Sequence, residues 1–476
     1  MNFCSWKNFI DKTEQNHRKI FDIDIVDLAV KYGTPTFVLF EKLIEDNFNR
    51  YKEQLKKDYP KSIVCFAVKS NPNIYILNML SKLGCGADVA SEYELQLALD
   101  ANIPIEKIRA NGNYKSDIFL EICIKNGIII NVDPEDELDI INEISERLGK
   151  DAIINIRFSG FPIKNITSRV MSTSTEWSKF GINYNRANLI FEKLLKLKRL
   201  KLNGLMVHIG SQITNLNIYY TVLDILINIF KDAQKIGFNL SEIDIGGGLG
   251  IKYFESNDWK LIKDKIKNTK KLNYTWANEY IGHEYNPESN DIEWIGEELS
   301  CEYSPDQFIQ QLFNHIYEKL INLGSPRIVF EPGRSIIGNA CITVAKIGHV
   351  SQIPHGENLV HTDSGINMYT TFGVPEQLHR IEIANNVLEE EVFETYVAGN
   401  LCFTGDLLGK IKSKLKRKPI RGDFLIFYDT GAYSDFFASN ANLFPRPTKV
   451  MIKKDGSCKL LVKREDYSEI IKREHN

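Results

Sequence analysis

Short apolar runs alternate with amphipathic stretches from residue 60 to residue 332 of the chain. The runs are rich in β-branched residues and predict eight strands: Ser62–Val68, Cys85–Val89, Lys107–Ala110, Ile128–Val132, Ala152–Phe158, Leu205–His208, Glu242–Ile245 and Arg327–Phe330. Apolar residues at helical spacing lie between them, as in Asn73–Leu83, Glu135–Leu148, Ile218–Lys235 and Pro305–Leu323. This eightfold alternation predicts an α/β fold, a closed (β/α)8 barrel of the TIM type, with a doubly wound open sheet as the alternative.

The pattern changes after Arg334, where β-rich segments are separated by Gly, Pro and Asn. These segments predict a second domain made of strands: Ile342–Val350, Leu359–Thr362, Phe393–Val397, Phe424–Tyr428 and Lys449–Lys453. Thr34–Phe40 also predicts a strand, which we expect to join or border that domain. The predicted organisation is an N-terminal segment at 1–40, a barrel at 41–332 with an insertion at about 256–304, and a C-terminal β-barrel or β-sandwich domain at 333–476.

Composition and charge limit the kinds of partner. At 476 residues the chain exceeds what one hydrophobic core usually organises. Lys and Arg number 59 against 62 Asp and Glu, without a basic block that would follow a nucleic-acid backbone or a polybasic membrane patch. The sequence contains no apolar run of membrane-spanning length and no secretory signal pattern over residues 1–20. We therefore expect small-molecule chemistry, with no nucleic-acid or membrane partner.

The cysteines indicate the compartment. The eight cysteines are scattered and form no C-x-x-C pair. This distribution argues against both a disulfide framework and a zinc site. We expect a cytoplasmic protein without a metal.

Polar and glycine residues are concentrated where the predicted barrel strands end. They are Lys69, Asp88, Arg157, His208 to Ser211, Gly246 to Gly248, and Glu331 to Arg334. Each alone has an ordinary structural explanation, such as a surface lysine, a structural histidine or a tight glycine turn. In a TIM-type barrel, however, the loops after the strands build the active site, so these residues are expected to converge on one rim.

This combination of residue types matches the needs of pyridoxal phosphate. A lysine can hold the aldehyde as a Schiff base, and a carboxylate can keep the pyridine nitrogen protonated so that the ring withdraws electrons. Backbone N–H groups in a glycine turn, helped by an arginine and hydroxyls, can bind the phosphate. The rim offers a candidate for each task.

Ordered motifs along the chain carry a family resemblance from about Tyr32 to about Val450. They are Tyr32-Gly-Thr-Pro-Thr36, Phe66-Ala-Val-Lys-Ser-Asn71, Ala87-Asp-Val-Ala-Ser91 with Glu94, Ser178-Lys-Phe-Gly-Ile182, His208-Ile-Gly-Ser-Gln212, Asp244-Ile-Gly-Gly-Gly-Leu-Gly250, Glu331-Pro-Gly-Arg334, Gly405-Asp406 and Gly431-Ala-Tyr433. With these motifs the chain resembles the fold-type III pyridoxal-phosphate decarboxylases, in particular the diaminopimelate decarboxylases and more distantly the ornithine decarboxylases. The resemblance implies an alanine-racemase-like fold and α-decarboxylation of an amino acid.

The resemblance also implies residue roles. Lys69 would hold the cofactor, Glu331 would pair with the pyridinium nitrogen, and His208 would stack on the ring. Asp88 and Arg157 would support His208 and the ring from behind. The phosphate cradle would comprise Ser211, Gly247, Gly248, Arg334 and Tyr433, and Gly333 would also bind the cofactor. Cys402, the expected proton donor, would come from a partner subunit, so the resemblance implies a homodimer with shared active sites.

Two departures affect the expected substrate. Phe403 follows Cys402 where diaminopimelate decarboxylases have a glutamate, and Phe372 or a neighbour replaces a substrate-contacting arginine. Losing a charge partner for the distal group of diaminopimelate costs several kcal/mol if that group is buried. The expected substrate is therefore a diamino acid, or an amino acid joined to citrate as in siderophore pathways. His379, Arg380 and Lys412 are candidate contacts for a different substrate, and the 256–304 insertion is a candidate lid.

Two other functions remain as alternatives. An amino-acid racemase would share the barrel and the lysine, whereas the His208 and Cys402 motifs favour a decarboxylase. A non-catalytic homologue that binds and regulates a related enzyme would have no need to retain Lys69, His208, Glu331 and Cys402 together.

Overall fold

The protein forms two compact units. A computed structural model describes residues 6–163, 172–253, 301–354, 356–369, 379–388, 391–408 and 412–474. One unit, the barrel unit, comprises Glu45–Gly250 and Glu302–Ile336, and the other, the sheet unit, comprises the described residues before, between and after these segments. The predicted insertion at 256–304 lies outside the described residues except for its last four.

The N-terminal elements belong largely to the sheet unit. They are strands β1 Ile10–Lys12, β2 Arg18–Ile20, β3 Ile23–Asp24 and β4 Thr36–Phe40, and helices α1 Ile25–Tyr32 and α2 Glu41–Asp58. The first three strands form an antiparallel sheet in the order β1-β2-β3. Asp24 then caps helix α1, since its Oδ1 accepts the backbone N–H of Val26 at 2.8 Å.

Eight parallel strands close into a barrel. In chain order the strands of this unit are β5 Ile63–Ala67, β6 Gly86–Val89, β7 Ile108–Ala110, β8 Ile129–Val132, β9 Ala152–Ser159, β10 Ile182–Asn183, β11 Leu200–Met206, β12 Glu242–Asp244 and β13 Arg327–Phe330. The closed order is β5-β6-β7-β8-β9-β11-β12-β13 and back to β5, with the short β10 added alongside β9. The predicted barrel is confirmed, and the open sheet is wrong because β13 pairs with β5.

Amphipathic helices follow the barrel strands. They are α3 Ile74–Lys82, α4 Glu92–Asp100, α5 Asp117–Asn126, α6 Glu137–Leu148, α7 Ala187–Leu194, α8 Leu216–Ile236, α9 Pro305–Ile321 and the short α10 Arg334–Ile337. Their starts carry typical caps: Ser91 Oγ accepts the Glu94 N–H at 3.2 Å, while a Glu94 carboxylate oxygen accepts the Ala90 N–H at 2.7 Å. Within the described residues, no helix is long and apolar enough to cross a membrane.

The barrel strands separate apolar and polar residues by alternation. On β9, Ile154, Ile156 and Phe158 are fully buried and share one face, while Asn155 and Arg157 lie on the other, where they bond across to β8 and its following loop. Fully burying one large aliphatic side chain contributes about 1.5–3 kcal/mol, so the apolar face supplies the stabilisation. The opposite face leaves a polar barrel interior.

One predicted strand starts later in the chain than the observed strand does. The run Leu205–His208 was expected, whereas β11 spans Leu200–Met206. A register shift between Leu202 and Gly204 hides the earlier residues from a simple alternation pattern. Glycine is required there because a Cβ on Gly204 would lie 2.2 Å from the carbonyl oxygen of Glu242 on β12. Because β11 ends at Met206, His208 lies in the loop after the strand.

The sheet unit contains a nine-stranded sheet around one long strand. Its remaining elements are β14 Cys341–Gln352, β15 Asn358–Thr362, β16 Ile381–Ile383, β17 Phe393–Ala398, β18 Ser413–Leu415, β19 Phe424–Tyr428, β20 Thr448–Ile452, β21 Cys458–Val462 and helix α11 Tyr467–Ile471. The first half of β14 pairs with β4 and β19, and its second half pairs with β15. The N-terminal β4 thereby lies between β14 and β20 in this sheet.

The ion pair between Arg109 and Glu242 inside the barrel provides a stability prediction. Arg109 Nε lies 2.8 Å from Glu242 Oε1, and both side chains are almost completely buried. Arg109→Met should lower the free energy of unfolding by roughly 3–5 kcal/mol, because it leaves a buried carboxylate without its main partner. Denaturant unfolding of the purified protein measures this loss.

The matched control is Arg186→Met, which removes a pair between Arg186 and Glu135 whose side chains are 51% and 35% exposed. That variant should change stability by less than about 1 kcal/mol. Equal small effects in the two variants would contradict the structural importance of the buried pair.

Candidate active site

The ends of β5, β6 and β13 bring a lysine and two carboxylates together. Lys69 lies in a single 3-10 turn directly after β5, and its Nζ pairs with a carboxylate oxygen of Asp88 on β6. Asn111, just after β7, bridges Asp88 and Glu331: its Nδ2 lies 2.7 Å from Asp88 Oδ1 and 2.7 Å from Glu331 Oε1. Asp88, Asn111 and Glu331 are all at most 5% exposed, so these three residues are shielded from water, while the Lys69 side chain remains 35% exposed.

Glu331 and Asp244 form a carboxyl pair that favours protonation. Burial, followed by the charges of Asp244 and Asp88, holds the pKa of Glu331 well above its usual value. Burial and the charge of Glu242 raise the pKa of Asp244 to about 7. Two carboxylates that share a buried site cannot both ionise easily, so the pair retains a proton.

His208 is held as a neutral imidazole. Its Nδ1 accepts the backbone N–H of Gly247 at 3.1 Å, which places the ring proton on Nε2. Desolvation, with Arg157 and Lys69 nearby, lowers the pKa of His208 well below its usual value, although the side chain keeps some exposed surface. The neutral ring presents a flat face without a charge.

The glycine turn after β12 is packed too tightly for side chains. A Cβ on Gly247 would lie 2.2 Å from the carbonyl oxygen of Glu331. Gly248 has φ of +109°, and a Cβ there would meet the Gly210 carbonyl oxygen at 2.7 Å. Only glycine therefore allows the loops after β11, β12 and β13 to approach one another so closely.

A guanidinium and a hydroxyl connect two of these loops. Arg334 Nε donates to Ser211 Oγ at 3.1 Å, and the Arg334 residue is 5% exposed. Gly333 precedes Arg334 at the start of α10, and its carbonyl accepts the Ile336 N–H at 3.0 Å. This edge of the barrel thus carries a fixed positive charge beside the glycine turn.

Arg157 is fixed by a carboxylate and an aromatic ring. Its Nη1 donates to Asp133 Oδ2 at 2.8 Å, and its guanidinium carbon lies 4.6 Å from the centre of the Phe180 ring. The other Asp133 oxygen accepts the Gly181 N–H, which ties the segment after β9 to the same cluster. Asp133 is therefore the direct partner of Arg157, while Asp88 bonds Lys69 and Asn111.

The remaining expected residues lie in the sheet unit. Cys402 is exposed, and Tyr433 adopts the left-handed backbone region at φ of 57°. His379 Nδ1 hydrogen-bonds the Tyr428 carbonyl at 2.7 Å, Arg380 lies over the Tyr428 ring at 4.0 Å, and Lys412 pairs with Glu357 at 2.5 Å. These three candidate substrate contacts each have a partner within their own unit, and Phe372 lies outside the described residues.

The donor set of the barrel rim fits pyridoxal phosphate. The Lys69 amine lies beside Asp88, within the cluster that also contains Glu331, which provides a carbonyl-reactive group near a partner for a basic ring nitrogen. The glycine turn, with Ser211 and Arg334, offers the close backbone approach and the positive charge that a phosphate requires.

Sequence reasoning missed Asn111, Asp133 and the role of Asp244. The structure places them with the expected residues through hydrogen bonds across the barrel. A signal was present in the sequence, because these positions lie at the polar phase of the strand alternation or just beyond a strand end. That signal gives the face of each residue but not its partner.

Comparisons with known proteins agree with this site. Residues 42–278 match the family model described as "Pyridoxal-dependent decarboxylase, pyridoxal binding domain". The diaminopimelate decarboxylase of Aquifex aeolicus is 30% identical over 450 residues, covering 94% of this chain and 93% of that protein. That of Methanocaldococcus jannaschii is 30% identical over 456 residues, covering 94% and 92%.

A solved structure extends the similarity to the whole fold. The crystal structure of diaminopimelate decarboxylase from M. jannaschii in co-complex with L-lysine has a TM-score of 0.82 and 27% identity, and covers 98% of each chain. The family match, the near-complete coverage and the shared fold lead to one conclusion. The chain belongs to the pyridoxal-phosphate-dependent decarboxylases of fold type III, and it is a carboxy-lyase that uses this cofactor to act on an amino acid.

Proposed function

We propose that the protein is a diaminopimelate decarboxylase, which removes one carboxylate of meso-diaminopimelate to give lysine and carbon dioxide. The observation that carries this proposal is the cluster of Lys69, Asp88, Asn111 and Glu331 at the rim of a barrel of this family. Relatives with that activity in their names align over nearly the full chain. None of the relatives reported above is named as a racemase or as an enzyme of siderophore synthesis.

In this proposal the barrel, at about residues 41–332, holds the cofactor. Lys69 would carry it covalently, and Glu331 would accept a hydrogen bond from the protonated pyridine nitrogen. The phosphate would lie against Ser211, Gly247, Gly248 and Arg334, with Gly333 as a further cofactor contact. When bound, pyridoxal phosphate supplies an aldehyde that captures an amine and a ring that accepts the electron pair left by the departing carboxylate.

The protein groups position and shield the reacting atoms. Asp88 pairs with the Lys69 amine, which keeps that amine next to the carboxyl cluster. His208, neutral and fixed by the Gly247 N–H, would stack on the ring face without adding charge. Arg157, anchored by Asp133, contributes the positive charge that disfavours protonation of His208. Holding the breaking carbon–carbon bond perpendicular to the ring is then a matter of positioning.

The final proton transfer is assigned to Cys402 of a partner subunit. Its thiol would protonate the carbon that has lost its carboxylate. Cys402 is exposed in the single chain, as a residue that serves a neighbour's site must be. A two-fold homodimer would use the same surface on both subunits, and each active site would then need both chains.

One residue near the expected distal half of the substrate differs from the resembling enzymes. Phe403, 61% exposed, stands where a carboxylate follows the cysteine in the resembling enzymes. An amino acid joined to citrate would need no such carboxylate. Its turnover is therefore the alternative outcome that a substrate test must include.

A substrate panel tests the proposed activity. Carbon dioxide release by the cofactor-loaded protein should be greatest with meso-diaminopimelate, exceeding lysine and ornithine by about 10²-fold or more in kcat/KM, since those amino acids lack the distal carboxylate. Citryl-ornithine should give no release. Release from citryl-ornithine alone would replace the proposed substrate, and amino-acid racemisation without carbon dioxide release would contradict decarboxylation altogether.

The covalent role of Lys69 has a direct chemical test. Borohydride reduction of the loaded protein, followed by peptide mass spectrometry, should place the phosphopyridoxyl group on Lys69. Lys69→Ala should abolish the visible absorbance of the attached cofactor and lower carbon dioxide release by roughly 10³-fold or more, the scale of loss seen when a covalent catalytic group is removed. Modification of a different lysine would disprove the assignment.

Lys107→Ala is the matched control for Lys69→Ala. Lys107 lies just before β7, at the opposite end of the barrel strands from Lys69, and donates to the Gly84 carbonyl at 3.0 Å. That substitution should leave the cofactor band and the activity unchanged.

A further inference from the structure

Four asparagines form a hydrogen-bonded ladder through the barrel. Asn203 Nδ2 donates to Asn155 Oδ1 at 2.9 Å, Asn155 Nδ2 to Asn131 Oδ1 at 2.9 Å, and Asn131 Nδ2 to Asn111 Oδ1 at 2.9 Å. The ladder ends where Asn111 Nδ2 donates to Asp88 and Glu331. All four amides therefore point their N–H groups in the same direction, toward the two carboxylates.

Acids beside the ladder set the orientation of its two central amides, Asn131 and Asn155. Asn131 Nδ2 also lies 3.3 Å from Asp244 Oδ2, and Asn155 Nδ2 lies 3.1 Å from Glu242 Oε1. Carboxylate oxygens accept hydrogen bonds from an amide N–H but not from its oxygen. Rotating the Asn155 amide by half a turn would place its oxygen against the Glu242 carboxylate, which is ion-paired with Arg109, so the direction of the ladder is fixed.

Asparagines are energetically unfavourable residues for the interior of a barrel. Asn131 and Asn155 are completely buried, and Asn111 is 5% exposed. Burying polar amides costs free energy unless their hydrogen bonds are made, and branched apolar residues usually fill such interiors. Neighbouring strands are about 4.8 Å apart, a spacing that one amide can bridge, so aligned amides polarise one another along the row.

We propose that Asn111 is a positioning residue for the decarboxylation: the ladder holds its amide so that Nδ2 orients Glu331 toward the ring nitrogen and Asp88 toward Lys69. The proposal rests on the role assigned to Glu331 above. The backbone supports the same placement, because the Asn111 N–H donates to the Val89 carbonyl at 2.8 Å. Asn111 thus fixes both carboxylates from one point.

The electrostatics of the cluster explain why this donor matters. The groups that face Glu331 are Asp88, Asp244, Lys69 and Cys65. Since burial and the two acids already raise the pKa of Glu331, loss of the Asn111 donor would favour protonated Glu331 further. A protonated carboxyl no longer offers a negative charge to a pyridinium nitrogen.

The test compares two ligands. Dissociation constants are measured for pyridoxal phosphate and for its analogue with carbon in place of the ring nitrogen. Asn111→Ala should reduce the preference for pyridoxal phosphate by about tenfold, equivalent to ~1.4 kcal/mol, while leaving binding of the analogue nearly unchanged.

Controls separate this role from general stability. Asn142→Ala removes another buried amide, on α6, whose Nδ2 donates to Glu146 at 2.8 Å, and it should not change the preference. If Asn111→Ala fails to fold, Asn131→Ala provides the same measurement, since it releases the Asn111 oxygen, and it should shift the preference in the same direction. Glu331→Ala is the reference for the ring-nitrogen contact.

The outcomes are distinguishable. A reduced preference in both Asn111→Ala and Glu331→Ala supports the inference. A reduced preference in Glu331→Ala alone, with Asn111→Ala weakening both ligands equally or neither, overturns the inference and leaves the role of Glu331 intact. An unchanged preference in Glu331→Ala overturns the proposed role of Glu331 and the inference with it.

Discussion

Buried negative charge is the constraint on which the barrel unit depends. Asp88, Glu242, Asp244 and Glu331 all project into one barrel and are at most 4% exposed. Arg109 pairs with Glu242 and Lys69 pairs with Asp88. Charges in such a setting are tolerated when they are paired and hydrogen-bonded, or when they take up a proton. The carboxyls beyond those two pairs are Glu331 and Asp244, whose pKa values are both raised.

The negative charge of these carboxyls beyond the two ion pairs gives the site an affinity for a cation. In the proposed complex the protonated ring nitrogen of the cofactor would fill that place against Glu331. The same arrangement explains the ladder, because a row of aligned amides adds N–H donors to the acids without adding mobile charge. Structural stability and cofactor electronics would thus depend on the same side chains.

The sequence predicted the strands and the rim but not the network between them. Strand alternation placed Lys69, Asp88 and Glu331 at the ends of β5, β6 and β13, and the exact match for β13 shows how clear that pattern is. The same pattern places Asn111 just beyond the end of β7, but it does not indicate the partners of its amide, which lie 23 and 220 positions away in the chain. Such contacts follow from barrel closure, which the local sequence pattern does not specify.

The residues expected to contact the substrate could not be predicted from the strand pattern either. Cys402 and Tyr433 were identified by motif resemblance alone, and their contacts depend on how separate parts of the assembled enzyme meet. Phe403 shows the limit of that approach, because a single replaced residue changes the expected charge around the distal substrate group. The cofactor-binding half is more predictable because parallel strand ends bring its residues together by geometry.

In the proposed complex, Glu331 holds the ring nitrogen of the bound cofactor in its protonated form. Nitrogen NMR of the protein loaded with pyridoxal phosphate labelled with ¹⁵N in the ring measures that proton directly. We expect a protonated nitrogen at neutral pH in the unaltered enzyme and an unprotonated nitrogen in Glu331→Gln. An unprotonated nitrogen in the unaltered enzyme, or the same signal in both proteins, would show that Glu331 does not keep the ring nitrogen protonated.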